Sequence, residues 1–390
     1  MSYSLLPEIL EHIFFLAYEH VLDEPSKADY RAIAGLSRLC SAWLIPAQRI
    51  LFRTVTIRSS EEAIALRNVL VKAKYGDDKG LAHVVRSIWT LRLTSSAVLS
   101  PNRLAVIIGL CPALQILRLD FHDLPSLRIS GKPRDLREYD TQTLAFMART
   151  STVRALHFSG SLRTAIDLIK AWPSLEHVYI KAAVDPSITL TEQLINRFYE
   201  FRWEGVGEDQ GHSLWKQLLG NSHQSLHILQ LNHLPPPLEF DELLQSVPNL
   251  RSLRLPDCSP IHGAALQHCT MLQELMISQP PRYLALWNIR HKLQHFAFTF
   301  DTAMPTEDLD LLTQFICKRP GVENVSIHRG DSPVTWGGEL RRSCLERGIG
   351  IRMSSHLTKV NPFWEDQTLE RTEQYPRLRS NNRQRKMAAP

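Results

Sequence analysis

One spacing of apolar residues recurs along most of this chain. Each copy has an apolar residue, then two others, a second apolar residue, one other, and a third apolar residue. The copies begin at Ile88, Leu114, Val153, Leu175, Phe198, Leu226, Leu250, Leu272, Leu293 and Val322. Because residues two apart lie on the same face of a strand, each copy predicts a short strand. Strands this short bury their apolar face only when neighbouring units stack.

Prolines mark the change from helix to strand in several units. Pro112, Pro173, Pro248 and Pro320 each lie two residues before a copy, where a helix must end. Amphipathic stretches between copies predict helices over residues 143–150, 164–171, 240–247 and 308–318. The β-branched and aromatic residues in the copies favour strands, although an all-α repeat remains an alternative. One strand and one helix in each unit is the signature of a leucine-rich repeat, in degenerate form here.

Packing distances predict the shape of such an α/β solenoid. Parallel strands stack about 4.8 Å apart and helices about 8–10 Å apart, so the array should curve with its parallel sheet on the concave face. Residues that alternate with the buried strand positions should face the concave side and bind a target protein through a few polar and aromatic anchors. The expected target-binding residues are Arg118, Asp120, His177, Tyr179, Arg202, Gln230, Asn232, Arg254, Glu274, Met276 and His295.

The first fifty-odd residues follow a different pattern. Leu6, Ile9, Leu10, Ile13 and Phe14 recur at helical spacing, and Pro7 suits a first helical turn. A second helix is expected to carry apolar residues from position 33 to position 43 and to end at Pro46. So short a module cannot bury all of these side chains within itself. Some of them must pack on the rest of the chain or on another protein.

These residues resemble an F-box, the helical module that joins a protein to an SCF-type ubiquitin ligase through a Skp-type adaptor. The resemblance rests on the opening at residues 6–14, the Leu-Cys-x-x-Trp at 39–43 and the Leu-Phe-x-x-Val at 51–55. One departure is the long connection at residues 19–28. The resemblance implies a three-helix module that binds the adaptor, and through it a cullin. The implied adaptor-binding residues are Leu6, Pro7, Ile9, Leu10, Ile13, Phe14, Leu39, Cys40 and Trp43.

Composition and motifs narrow the possible functions. Hydrophobic residues make up 44% and charged residues 22%, as in soluble globular proteins, and no apolar run is long enough to span a bilayer. The six cysteines form no Cys-x-x-Cys pair, which favours reduced, buried thiols in the cytosol or nucleus and no metal. Phosphate-binding and nucleophile motifs are absent, so we expect neither an enzyme nor a cofactor. A net charge of only +5 argues against a nucleic-acid partner, and the lack of a long apolar run argues against a membrane partner.

Four segments are therefore expected. Residues 1–55 form the F-box module, 56–83 a linker with a capping helix that starts at Ser59-x-x-Glu62, 84–353 the solenoid, and 354–390 a flexible basic tail. The predicted function is substrate recognition for an SCF-type ubiquitin ligase, without catalysis, in the cytoplasm or nucleus. The main alternative is a leucine-rich-repeat scaffold that binds proteins without a role in ubiquitin transfer, its N-terminal helices only capping the solenoid.

Overall fold

The computed structural model describes most of the chain. The described residues are 6, 9–10, 13–14, 27–75, 86, 88–94, 99–121, 128–129, 132–133, 139–149, 152–183, 194–206, 217–277, 286, 289, 293–300, 306–318, 321–329 and 338–354. Pro7 and, apart from residue 354, the predicted basic tail lie outside them. The chain divides into two compact units, Met1–Ala183 and Val184–Pro390.

The first unit alternates helices with parallel strands. Ile9, Leu10, Ile13 and Phe14 are helical. The helices that follow are α1 (Lys27–Leu36), α2 (Ser41–Leu51), α3 (Ser60–Tyr75), α4 (Pro101–Gly109), α5 (Thr141–Arg149) and α6 (Leu162–Ala171). The strands are β1 (Thr54–Ile57), β2 (Thr90–Leu93), β3 (Ile116–Asp120), β4 (Arg128–Ile129), β5 (Lys132–Pro133), β6 (Ala155–Ser161) and β7 (His177–Ala183). Strands β1, β2, β3, β6 and β7 pair in that order, all parallel, whereas β4 and β5 form a separate antiparallel pair.

The second unit repeats the same alternation. Its strands are β8 (Glu200–Val206), β9 (Ile228–Leu231), β10 (Ser252–Leu255), β11 (Glu274–Ile277), β12 (His295–Phe300), β13 (Asn324–Arg329) and β14 (Gly350–Ser354). Its helices with both ends among the described residues are α7 (Pro237–Ser246), α8 (Pro260–Ala265), α9 (Thr306–Lys318) and α10 (Gly338–Glu346), with a 3₁₀ turn at Leu266–His268. Each strand pairs in parallel with the next one in sequence.

The repeated apolar pattern forms the core of each unit. In the second unit, Leu229, Leu253, Leu275, Phe296 and Val325 occupy one position on five successive strands and are fully buried. The residues two positions later in each strand are buried beside them. The prediction of a parallel strand in each of the ten copies is confirmed, and an all-α repeat is excluded. The curvature and the concave face remain predictions.

The predicted helices are also confirmed, with small changes at their ends. Helices α5, α6, α7 and α9 cover the four amphipathic stretches. Helix α3 begins at the predicted cap, where the backbone N–H of Glu62 donates to the Ser59 hydroxyl, 3.2 Å away, and the Glu62 carboxylate accepts from the N–H of Arg58. Because these side chains satisfy one amide group of the first turn and one just before it, the local sequence fixes where α3 starts.

Three features differ from the sequence-based expectations. The helix expected from position 33 to Pro46 is two helices: α1 ends at Leu36, and Pro46 lies inside α2. The break is stabilised locally, since the Ser37 hydroxyl donates to the carbonyl of Ala34, 2.7 Å away. Strand β1 spans residue 55, the predicted boundary between the F-box module and the linker, and it pairs with β2. Strand β14 and the β4–β5 pair were not expected, because none of them has the complete three-residue apolar pattern.

Candidate protein-binding sites

The helical residues near the N-terminus pack against α1 and α2. Leu10 and Phe14 are only 3% and 4% exposed, and they form a core with Ile33, Ala47 and Ile50. The Trp43 ring packs edge-on against the Phe14 ring, with centroids 5.2 Å apart. Leu10 and Phe14 are four positions apart, which places both on one side of a helix. These two side chains therefore hold the module together.

Other apolar residues of the same module face outward. Ile9 and Ile13, also four residues apart, are each 45% exposed. Leu6 and Leu39 are more exposed still, and Cys40 is exposed as well. The adaptor-binding set that the F-box resemblance implies thus divides into a packed part (Leu10, Phe14 and the half-buried Trp43) and an outward part. Leu44 and Ile45 of α2 are also exposed, although no sequence motif pointed to them.

The sheet of the first unit presents a row of partly exposed polar and aromatic side chains. Arg92 of β2 is the register partner of Arg118 of β3, which is the partner of His157 of β6. Tyr179 of β7 continues the row, and its ring lies 5.8 Å from the ring of His157. Among the predicted target-binding residues, this row contains Arg118 and Tyr179. Two more, His177 and the exposed Asp120, lie on the same strands.

The equivalent rows of the second unit are buried. Arg202 forms an ion pair with Glu200 on its own strand, and both side chains are nearly inaccessible to solvent. The Arg254 guanidinium donates through Nη1 to the side-chain oxygen of Gln230, 3.5 Å away. Met276 is buried against Ala297 on the next strand. These side chains contact one another within a strand or across neighbouring strands, so they are part of the interior.

Glu274 is the centre of this buried network. Its Oε1 atom accepts from the Ser252 hydroxyl at 2.6 Å and from Nη2 of Arg254 at 3.3 Å. Its Oε2 atom lies 3.0 Å from Nδ1 of His295, whose Nε2 lies 2.9 Å from the Ser326 hydroxyl. Burial by itself would raise the pKa of Glu274, but Arg254, His295 and Ser252 together hold it below its ordinary value. The carboxylate therefore stays ionised inside the sheet.

Asn232, which directly follows β9, binds the backbone of the neighbouring strand β8. Its side-chain oxygen accepts from the N–H of Gly205 at 2.9 Å, and its amide donates to the Gly205 carbonyl at 3.0 Å. A side chain at position 205 would clash with the Trp203 indole, because a Cβ atom there would lie 2.7 Å from its Nε1 atom. Asn232 thus completes the backbone hydrogen bonds of a neighbouring strand.

The expectation that the alternating strand positions are exposed is therefore wrong for six of the predicted target-binding residues. These are Arg202, Gln230, Arg254, Glu274, Met276 and His295. The alternation of side chains assigned each residue to the correct side of the sheet, but it carries no information about what covers that side. Their role in target binding remains a prediction, as does that of the more exposed residues of the first unit.

Three of the cysteines and His262 form no further site in the described part of the chain. Burial raises the pKa of Cys111, Cys258 and Cys269 to about 12, which keeps these thiols protonated. His262 instead contacts the Ser259 hydroxyl at 2.7 Å and the Pro235 carbonyl at 3.0 Å. Within the described ranges, no cluster of metal-binding side chains is present, and no helix is long and apolar enough to cross a membrane.

Comparison with known proteins yields likenesses to solved structures alone. No family model and no curated protein matches the chain. An internalin from Listeria monocytogenes is 12% identical, with 86% of this chain and 96% of that chain covered and a TM-score of 0.34. A chain in the crystal structure of the Rad7 and Elc1 complex in yeast is 13% identical, with 86% and 97% covered and a TM-score of 0.35. Scores this low assign the chain to no family and to no function.

Proposed function

We propose that this chain is a target-binding subunit of an SCF-type ubiquitin ligase. Its N-terminal helices would bind a Skp-type adaptor and through it a cullin, and its strand–helix repeats would bind a target protein. The observation that supports this most directly is the exposure of Ile9 and Ile13 on helical residues whose other side, Leu10 and Phe14, is packed in a core. Exposed aliphatic side chains that adjoin one another, as Ile9 and Ile13 do one helical turn apart, are typical of protein-binding surfaces.

The two groups of N-terminal residues have different parts in this proposal. Leu6, Ile9, Ile13, Leu39 and Cys40 would touch the adaptor, because these side chains are exposed. The packed residues would act indirectly by fixing the positions of the helices. Burial of a large apolar side chain on binding contributes roughly 1.5–3 kcal/mol of favourable free energy. A few such side chains are enough to drive association when they are held rigidly.

The subunit would catalyse no reaction. It would hold the target near a ubiquitin-conjugating enzyme carried elsewhere in the complex, and so raise the effective concentration of the target's lysine side chains. No cofactor enters this scheme, and the site of action would be the cytoplasm or nucleus. A scaffold that binds its partner without ubiquitin transfer is the second candidate, since the repeats would serve it equally well. Adaptor binding distinguishes the two candidates.

Co-expression with a Skp-type adaptor followed by gel filtration tests the proposal. The wild-type chain should elute as a one-to-one complex. The variant with Ile9→Asp and Ile13→Asp should elute alone with an unchanged circular dichroism spectrum, because both residues are exposed and the core residues are retained. A charge placed in an apolar contact must be desolvated, which opposes association.

A matched control comes from helix α3. Ile64 and Val69 are also exposed, at 42% and 37%, and their change to Asp alters charge and apolar area to a similar extent. This control should keep the adaptor complex. A folded wild-type chain that elutes without the adaptor refutes the ligase proposal and favours the scaffold. Equal loss of the complex in both variants shows that binding does not depend on the N-terminal surface.

A further inference from the structure

Two cysteines of the second unit lie against each other. Cys317 is in the last turn of α9, Cys344 is in the last turn of α10, and these two helices pack together. The Cys344 thiol donates a hydrogen bond to the Cys317 sulfur. Both are free thiols, and they are 9% and 0% exposed. Side chains that already touch across two packed helices need only a small rotation to form a disulfide.

The repeat explains why these two cysteines meet. Asn324 of β13 pairs with Gly350 of β14, and Cys344 follows Cys317 by nearly the same number of residues. The two cysteines therefore occupy corresponding positions in two successive units. Corresponding positions of stacked units are neighbours in a solenoid. No short cysteine motif marks such a pair in the sequence, because its members are one whole repeat apart.

The surroundings make Cys317 the more reactive member of the pair. Burial raises its pKa, but the Arg347 guanidinium and the hydrogen bond from Cys344 oppose that rise. Burial and the adjacent Cys317 sulfur raise the pKa of Cys344 to about 11. The thiolate is the form that reacts, so Cys317 should react first. Both thiols are mostly protonated near neutral pH, so they stay reduced until an oxidant is supplied.

We propose that Cys317 and Cys344 are a redox-sensitive pair, which hydrogen peroxide converts into a disulfide between α9 and α10. The inference does not depend on the proposed function, because it concerns the second unit alone. A thiol reductant reverses the change and restores both cysteines.

The reaction has two steps. The Cys317 thiolate attacks one oxygen of the peroxide, the O–O bond breaks, and the leaving hydroxide takes up a proton to become water. Cys317 is then a sulfenic acid. The Cys344 sulfur attacks the Cys317 sulfur and loses its own proton, the S–O bond breaks, and the departing hydroxide becomes a second water. Two electrons pass from the two sulfur atoms to the peroxide oxygens.

The disulfide restrains the last repeats of the chain. It joins two helices between which β13 lies in sequence, so it closes a loop that contains a strand of the sheet. A cross-link of this kind restricts the unfolded chain and stabilises the folded one. Local opening of α9 and α10 should therefore become rarer, which slows the exchange of their amide hydrogens.

Peptide mapping of the full chain tests the proposal. The reduced chain is treated with hydrogen peroxide, its remaining thiols are blocked with N-ethylmaleimide, and a tryptic digest is analysed by mass spectrometry. The peptides that contain Cys317 and Cys344 should be linked to each other, at a yield about tenfold above that of any other cysteine pair. Dithiothreitol should separate them. In the oxidised chain, amide exchange within α9 and α10 should slow about threefold or more.

A matched control changes two other buried cysteines of the second unit, Cys258 and Cys269, to Ala. It removes as many thiols as the proposed pair contains, and it should keep the link between Cys317 and Cys344. Cys344→Ala should instead leave Cys317 as a sulfenic acid, because no second thiol condenses with it. Dimedone should label this residue about tenfold more than in wild type.

Two results would overturn the proposal: no link between Cys317 and Cys344 in the folded wild-type chain, or links from Cys317 to other cysteines at equal yield. In guanidinium chloride, Cys258 and Cys269 should become the preferred pair, since they are closer in sequence. An unchanged preference for Cys317 and Cys344 there would show that the packing of α9 on α10 does not select them. If Cys344→Ala melts earlier than wild type, the wild-type map decides, because it needs no substitution.

Discussion

The Nη2 atom of Arg254 lies 3.3 Å from the Oε1 atom of Glu274 on the neighbouring strand, and the two residues are 1% and 0% exposed. Such a buried ion pair adds little net stability, because desolvation of both charges offsets their attraction. Each charge nevertheless becomes costly when its partner is removed. The pair therefore makes the sheet of the second unit sensitive to single substitutions.

Glu274→Gln should destabilise the protein strongly. Glutamine keeps the size of the side chain but leaves the Arg254 guanidinium buried without a counter-charge. We expect the free energy of unfolding to fall by about 3–5 kcal/mol. Urea unfolding followed by circular dichroism measures this change, provided that the transition of the second unit is resolved.

A double-mutant cycle supplies the control for that prediction. Arg254→Met removes the cation while keeping much of its length, and combined with Glu274→Gln it leaves neither charge in the interior. The double variant should be more stable than the sum of the two single effects predicts, by about 1–3 kcal/mol. Strictly additive effects would show that the two side chains do not interact as their geometry indicates.

The Glu274 carboxylate should make the free energy of unfolding depend on pH. Although burial opposes it, Arg254, His295 and Ser252 lower the pKa of Glu274 from its ordinary value of 4.5. The unfolded chain therefore takes up this proton more readily than the folded one, so the stabilisation is complete above the ordinary value and is lost as the pH falls below it. The gap in unfolding free energy between wild type and Glu274→Gln should therefore shrink below about pH 4.5. A gap that stays constant to about pH 3 in a urea series would contradict this assignment.

The strands were predictable from sequence because the repeated pattern has a single physical cause. Two apolar residues separated by one position must lie on the same face of a strand, so Leu253 and Leu255 identified both the strand and its buried side. Helix ends were predictable where a local signal exists, as at Ser59 and Glu62. Strand β14 was missed because Gly348 stands where the pattern begins with an apolar residue, although Ile351 and Met353 fit its other two positions.

The exposure of the strand residues expected to bind a target was not predictable in the same way. Arg118 and Arg254 occupy equivalent positions in the pattern, yet the first is partly exposed and the second is buried in an ion pair. That difference depends on contacts between distant residues, such as Glu274 with His295. The pairing of Arg92 with Arg118 likewise depends on strand register, which a single strand's sequence does not specify.

Truncation of the buried Leu10 and of the exposed Ile13 should have different effects on the stability of the N-terminal module. Leu10→Ala should destabilise the packing of α1 and α2 by about 2–5 kcal/mol, because it leaves a cavity beside Phe14 and Ile33. Ile13→Ala should cost about 0.5 kcal/mol or less, since the side chain is 45% exposed. Hydrogen exchange measured by mass spectrometry on peptides from residues 27–51 should therefore speed up in the first variant and stay unchanged in the second. If Ile13→Ala exchanges as fast as Leu10→Ala, Ile13 is a packing residue, and its proposed contact with an adaptor loses its structural basis.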